Sequence, residues 1–210
     1  MPSYTTEDIR NIALVGSPNA GKTTIVELML HKAGLIDRVG KVEDGNTVCD
    51  YDDLEKSFGH SLDSAIVNFS HNGAHINLID TPGASDFLGN AISVLPATES
   101  VLIMVDASAG LDSVVRRMMK ICESRNLPRI IVINKIDHAE NLPELVEMIS
   151  ETFGSSCKLI NLPTDGGKSV VDCLMNNEGT SDLGDVADFH TKIVDQIVEV
   201  DEALMEQYLE

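Results

Sequence analysis

The chain has 210 residues, with 15 Lys+Arg against 34 Asp+Glu and a formal charge of −19. That acid excess excludes a broad electrostatic grip on nucleic acid, sequence-specific DNA binding included, because such a grip needs a basic face. With 43% hydrophobic residues the chain can build a core, yet its apolar runs of about five or six residues are too short to span a bilayer.

No basic region followed by an apolar stretch opens the sequence, so no secretory signal and no membrane partner are expected, and the cytoplasm is the expected compartment. Cys49, Cys122, Cys157 and Cys173 are scattered without a CxxC pair, which predicts buried reduced thiols rather than a disulfide framework or a zinc site.

Taken in chain order, Asn11–Val15 reads as a strand, followed by a glycine loop and an apolar-periodic helix from Lys22 to about Ala33. Residues 34–61 are polar and without a clear period, and are expected to form a functional loop. Leu62–Ser70 and Ala74–Asp80 flank His71-Asn72-Gly73, a hairpin signal that predicts one antiparallel pair. Val101–Val105 and Arg129–Ile133 are further strands around a helix at roughly 112–125, and Pro143 suits the first turn of a helix over Leu142–Phe153. Lys158–Leu162 reads as one more short strand, and residues 174–187 as loop. Ile193, Ile197, Val200, Leu204 and Tyr208 then fall at helical spacing, opposite an acidic face. Alternating strands and helices predict an α/β fold with a mainly parallel sheet and flanking helices.

Three segments carry chemistry. Gly16-Ser17-Pro18-Asn19-Ala20-Gly21-Lys22-Thr23 fits G-x-x-x-x-G-K-[ST] between a strand and a helix. Glycines let the backbone wrap a polyphosphate, and successive N–H groups favour negative charge. Lys22 can reach the β and γ phosphates, and the Thr23 hydroxyl can bind Mg²⁺. Asp80-Thr81-Pro82-Gly83 ends a predicted strand, where ligands meet a parallel sheet; Asp80 suits a water-mediated hold on Mg²⁺, and the Gly83 N–H suits the γ-phosphate. Asn134-Lys135-Ile136-Asp137 ends another strand. The Asp137 carboxylate can accept from guanine N1–H and its exocyclic amine, which discriminates against adenine. Asn134 can brace that loop, and the Lys135 stem can cover the base. Together these motifs describe a P-loop protein that binds guanine nucleotides.

The sequence also resembles the translational GTPases, most of all the G domain of elongation factor G and its bacterial paralogues. The matching text comprises Gly21-Lys22-Thr23-Thr24, Lys32-Ala33-Gly34-Leu35-Ile36 with Gly40-Lys41-Val42, Asp50-Tyr51-Asp52 with Glu55-Lys56, Asp80–Gly83 with Asp86-Phe87, Asn134–Asp137, and Asp201–Glu210. By that resemblance residues 35–61 are switch I, Ser61 stands where the family often has a Mg²⁺-binding threonine, and residues 80–87 begin switch II. The resemblance implies a GTP-binding core over residues 1–157 and, over 158–210, the start of a shortened insertion ending in an acidic amphipathic helix. It implies GTP/GDP and Mg²⁺ as ligands and the ribosome as partner. Nucleotide contacts fall on Asn19, Ala20, Gly21, Lys22, Thr23, Thr24, Asn134, Lys135 and Asp137, the metal on Thr23, Ser61 and Asp80, and catalysis on Lys22 and Gly83.

Three departures from the family follow. Ala84 stands where switch II commonly carries a water-positioning histidine, so slow hydrolysis is expected; His60 is the nearest histidine in sequence, with a solvated loop role as its simpler reading. Asn19 replaces a frequent aspartate, either to stabilise the loop turn or to join a K⁺ site. The fifth guanine motif is expected beyond Glu210, so the G domain is expected to be incomplete at its C-terminus, with an exposed sheet edge that favours self-association. Arg116 and Arg117 read as surface charges, and Met118-Met119 as core.

Overall fold

A computed structural model describes residues 4–200 and Met205. The chain forms two compact units, Met1–Asn134 and Lys135–Glu210.

The first unit is built on five strands: β1 (Ile9–Gly16), β2 (Ala65–His71), β3 (Ala74–Asp80), β4 (Ser100–Asp106) and β5 (Arg129–Asn134). Their order is β2-β3-β1-β4-β5. All neighbours are parallel except β2 and β3, which form the hairpin expected from Asn72-Gly73. Ala13, Leu14 and Val15 are fully buried, as befits a central strand covered on both faces. Leu14 packs with Leu78, Val67, Cys49 and with Val26 and Leu30 of α1 (Lys22–Lys32). Ala13 and Val15 point the opposite way by strand alternation. Helix α4 (Ser113–Ser124) packs on β1 and β4 and buries Val115, Met118, Met119 and Cys122; the methionine pair is core, as expected, while Arg116 and Arg117 are exposed.

Two helices depart from the sequence reading. Residues 34–61 contain α2 (Asp53–Phe58), because the Asp52 side chain accepts from Leu54 N–H and Gly59, at φ 68°, ends the turn. Helix α3 (Leu88–Val94) follows the segment Asp80–Phe87 and buries Leu88 and Ala91; with only two buried positions its period is too short to read.

The second unit holds α5 (Leu142–Phe153), strands β6 (Asn161–Thr164), β7 (Ser169–Asp172), β8 (Thr180–Ser181) and β9 (Gly184–Asp185), and α6 (Val186–Val198). Asn141 caps α5 by accepting from Glu144 N–H, and Pro143 sits in its first turn. The strand expected at 158–162 is shifted to 161–164. It pairs antiparallel with β7 through the turn Asp165-Gly166-Gly167, an Asp-Gly hairpin signal missed among short runs. The loop expected at 174–187 contains the small β8–β9 hairpin and the start of α6. Leu162, Cys173, Val186 and Ile193 form this unit's core, with Leu159, Val171, Leu183 and Phe189 packed on it. The expected helical positions Leu204 and Tyr208 lie outside the described residues. Cys49, Cys122 and Cys173 are buried free thiols, and Cys157 is half-buried.

Candidate nucleotide-binding site

In the first unit, β1 delivers the chain into the loop Gly16–Gly21 and α1 begins at Lys22. Among the described residues no side chain caps α1, and an uncapped first turn of this kind suits an anion. Asn19 takes a left-handed φ of 60°, a conformation that asparagine tolerates better than most residues. Asn19 and Thr24 are exposed and Ala20 is fully buried. Gly21 sits at φ 89°, and a Cβ there would collide with the Asn134 amide. That amide donates to the Ala20 carbonyl at 2.9 Å. Asn134 therefore braces the phosphate loop within the first unit.

The Lys22 ammonium is buried and donates to the carbonyls of Ser17 at 2.8 Å and Gly16 at 3.0 Å. Burial lowers its pKa to about 8, against the opposing pull of Asp80 and Asp112. Thr23 Oγ1 donates to Asp80 Oδ2 at 2.6 Å. Asp80 is 1% exposed, and its Oδ1 has no hydrogen-bond partner among the described residues. Burial pushes the Asp80 carboxyl up to about 6, although the Thr23 hydroxyl, Lys22 and the Thr81 N–H pull it back; Asp50 adds to the rise.

Ser61 does not join this pair. Its hydroxyl donates to Asp50 Oδ1 at 2.8 Å, while Thr47 Oγ1 donates to Asp50 Oδ2 at 2.9 Å. Asp50 is itself buried and electrostatically close to Asp80, so Ser61 stands one carboxylate away from it. Glu55 in turn accepts from the N–H groups of Leu62 and Asp63, at 2.9 and 3.2 Å, and fixes the entry into β2.

At the end of β3, Thr81 Oγ1 donates to the Leu14 carbonyl at 2.6 Å and pins the Asp80–Gly83 segment to β1. Gly83 lies so close to the phosphate loop that a Cβ would come within 2.7 Å of the Ser17 and Pro18 backbone and would strike the Lys22 ammonium. Only glycine fits there. Ala84 is half-buried. A ring nitrogen of His60 is paired with the Phe58 carbonyl at 3.1 Å, and the ring lies 6.4 Å from that of Phe87.

Lys135 and Asp137 open the second unit. Lys135 holds a left-handed φ of 58°, which turns the chain into a single 3₁₀ turn, Ile136–His138. Asp137 is exposed, with Oδ2 lying 3.4 Å from His138 Nε2.

The sequence reading missed two anchoring acids, Glu27, which is buried, and Asp112, which is half-buried. Glu27, 1% exposed, accepts from Gly40 N–H at 2.8 Å and Val48 N–H at 2.6 Å, tying α1 to the segment 40–48. Its signal was available, since Glu27 shares the buried face of α1 with Thr23, Val26 and Leu30. Asp112 caps α4 through Val115 N–H at 2.9 Å and also accepts from the Ser17 hydroxyl. No local pattern announces that second bond. Among the described residues no group of His, Cys, Asp and Glu forms a metal cluster of its own, and no helix is long and apolar enough to cross a membrane.

The chain is similar to known proteins in sequence and in fold. A family model described as "Elongation factor Tu GTP binding domain" matches residues 7–207. An elongation factor G-like protein of Mycobacterium tuberculosis is 32% identical over 215 residues, covering 96% of this chain and 30% of that protein. Peptide chain release factor 3 of Listeria monocytogenes is 33% identical over 166 residues, covering 77% of this chain and 32% of its own length. A crystal structure of a Thermus thermophilus protein superposes with a TM-score of 0.84 at 32% identity, over 96% of this chain and 33% of the other. The chain thus spans about a third of the length of the relatives it matches. With a matching family model across nearly its whole length and the P-loop α/β fold that model requires, the chain belongs to the elongation factor Tu GTP-binding domain family, as a translational GTPase G domain.

Proposed function

We propose that this chain is the Mg²⁺-dependent, GTP-hydrolysing domain of an elongation factor G-like translation factor that works on the ribosome in the cytoplasm. The single observation that carries the reading is the buried Thr23–Asp80 pair, beside the Lys22 ammonium and the uncapped start of α1. The unpartnered Asp80 Oδ1 and the Thr23 hydroxyl are hard oxygen donors of the kind Mg²⁺ takes. When bound, the ion withdraws charge from phosphate oxygens. Thr23 and Asp80 are the residues that would hold it, and Ser61 would be a third if its hydroxyl were released from Asp50. Lys22 and the amides of Asn19–Thr24 neutralise phosphate charge, and the Gly83 N–H meets the γ-phosphate. Asn134 holds the loop, the Lys135 stem covers the base, and the Asp137 carboxylate reads guanine. The Asn19 carbonyl is offered to K⁺; equal turnover in potassium and sodium at matched ionic strength removes that role.

Calorimetry with GTP, GDP and ATP, with and without Mg²⁺, tests the assignment. Guanine nucleotides are expected to bind and ATP to fail; equal binding of ATP overturns it. Phosphate release with added ribosomes tests the partner.

A second reading, a slow or non-hydrolysing regulatory paralogue, is favoured by Ala84, whose methyl group can neither orient nor polarise water.

A further inference from the structure

We infer that the β6–β7 turn, locked by Asp182, positions the loop that reads the base, and that Asp182 is therefore a residue governing guanine selectivity. The inference rests on Asp137 reading guanine. The backbone of Lys135 sits in a left-handed conformation that a non-glycine residue holds only where its surroundings impose it. Within the second unit, the turn Asp165-Gly166-Gly167 lies against the residues that follow Lys135. A Cβ built on Gly167 would rest 3.4 Å from the Ile136 carbonyl oxygen and 3.5 Å from the Asp137 nitrogen, so the turn packs on the backbone that carries the Asp137 carboxylate.

Asp182, itself exposed, ties the turn in that position. Its three residues all have positive φ (55°, 67° and 80°), and the Gly167 N–H donates to Asp182 Oδ2 at 3.0 Å. Asp182 is held at its other end, where its own N–H donates to the Pro163 carbonyl of β6 at 2.8 Å. Leu183, the next residue, packs on the core of Leu162, Cys173, Val186 and Ile193. A line of contacts thus runs from that core through Asp182 and Gly167 to Asp137. A carboxylate that must meet two guanine donors at once tolerates little displacement; loosening the turn weakens base reading and leaves phosphate binding alone.

The test compares GDP with inosine diphosphate, which lacks the exocyclic amine. In the full 210-residue chain, Asp182→Ala is expected to weaken GDP binding about three- to ten-fold. The GDP-to-inosine preference should shrink with it, and amide exchange in residues 135–138 should quicken while β1 and β3 keep their protection. An unchanged GDP-to-inosine ratio overturns the inference, because a merely destabilised module lowers the active fraction for both nucleotides alike. Asp182→Ser serves if the alanine variant does not fold. Asp137→Asn separates the two layers: if it leaves guanine preference intact, the base-reading role itself fails; if it abolishes that preference while Asp182→Ala and Asp182→Ser keep the wild-type ratio, only the role of the β6–β7 turn fails.

Discussion

The Thr23 hydroxyl donates to Asp80 at 2.6 Å, and Asp80 is only 1% exposed. The bond joins the first turn of α1 to the C-terminal end of β3, two points 57 residues apart in sequence. It consumes one oxygen of a buried carboxylate and leaves the other unsatisfied. An arrangement of that kind costs stability and gains function, since a cation can take up the unmatched charge.

Asp80 makes the stability of the ligand-free protein depend on pH. Its carboxyl titrates at about 6 in the folded chain, against 3.8 ordinarily. Its contribution to stability is therefore fully present below about pH 4 and is lost as pH rises through about 6. Asp80→Asn is expected to flatten that decline and to stabilise the ligand-free protein at pH 7 by at most about 3 kcal/mol, while removing the Mg²⁺ dependence of nucleotide binding. Urea denaturation between pH 4 and 8 without Mg²⁺ or nucleotide provides the check; an unaltered slope in the variant would refute the assignment.

Lys22 shows the mirror-image behaviour. Its pKa is lowered to about 8, so its contribution is present above about pH 10.5 and is lost as pH falls through about 8. At neutral pH the buried ammonium is a burden on the fold that a phosphate would relieve. Lys22→Met is expected to weaken GTP binding by roughly 10- to 150-fold, the worth of one charged hydrogen bond, without lowering the melting temperature of the ligand-free protein. Calorimetry and thermal denaturation on the same preparation measure both.

Glu27 predicts how switch I is held. Replacing it by alanine strands the N–H groups of Gly40 and Val48, at a cost of about 2–4 kcal/mol for two such groups. Limited proteolysis of Glu27→Ala is expected to cut within residues 37–48 faster than in the wild type. Glu27→Gln keeps one acceptor oxygen and should fall between them. Identical cleavage in all three would show that switch I is held by other contacts.

Ala84 offers a gain-of-function test. Half-buried and directly after Gly83, it stands beside the expected γ-phosphate position. Ala84→His is expected to accelerate single-turnover GTP hydrolysis by about 10²–10⁴-fold, the usual worth of a general acid–base group. His60→Ala should change the rate little, because its ring is already engaged with Phe58 and Phe87. No acceleration in Ala84→His would mean that the alanine is not what limits hydrolysis.

The sequence by itself determined the strands of the first sheet, the antiparallel hairpin at Asn72-Gly73, and the order of the three motifs. Apolar period and turn chemistry are local properties, so they survive in the linear text. Only the tertiary structure decided the partners of polar side chains. Ser61 looked free to ligate a metal and instead donates to Asp50; Asn134 braces the loop at Ala20, across 114 residues of sequence; the buried Glu27 and the half-buried Asp112 emerged as anchors. The short elements α3, β6 and β7 were illegible or misplaced because elements of four to seven residues with at most two buried positions do not establish a period. Residue type dictates what a side chain can donate or accept. Which group it meets depends on how the sheet and helices bring distant segments within about 3 Å of each other, and that is a property of the fold.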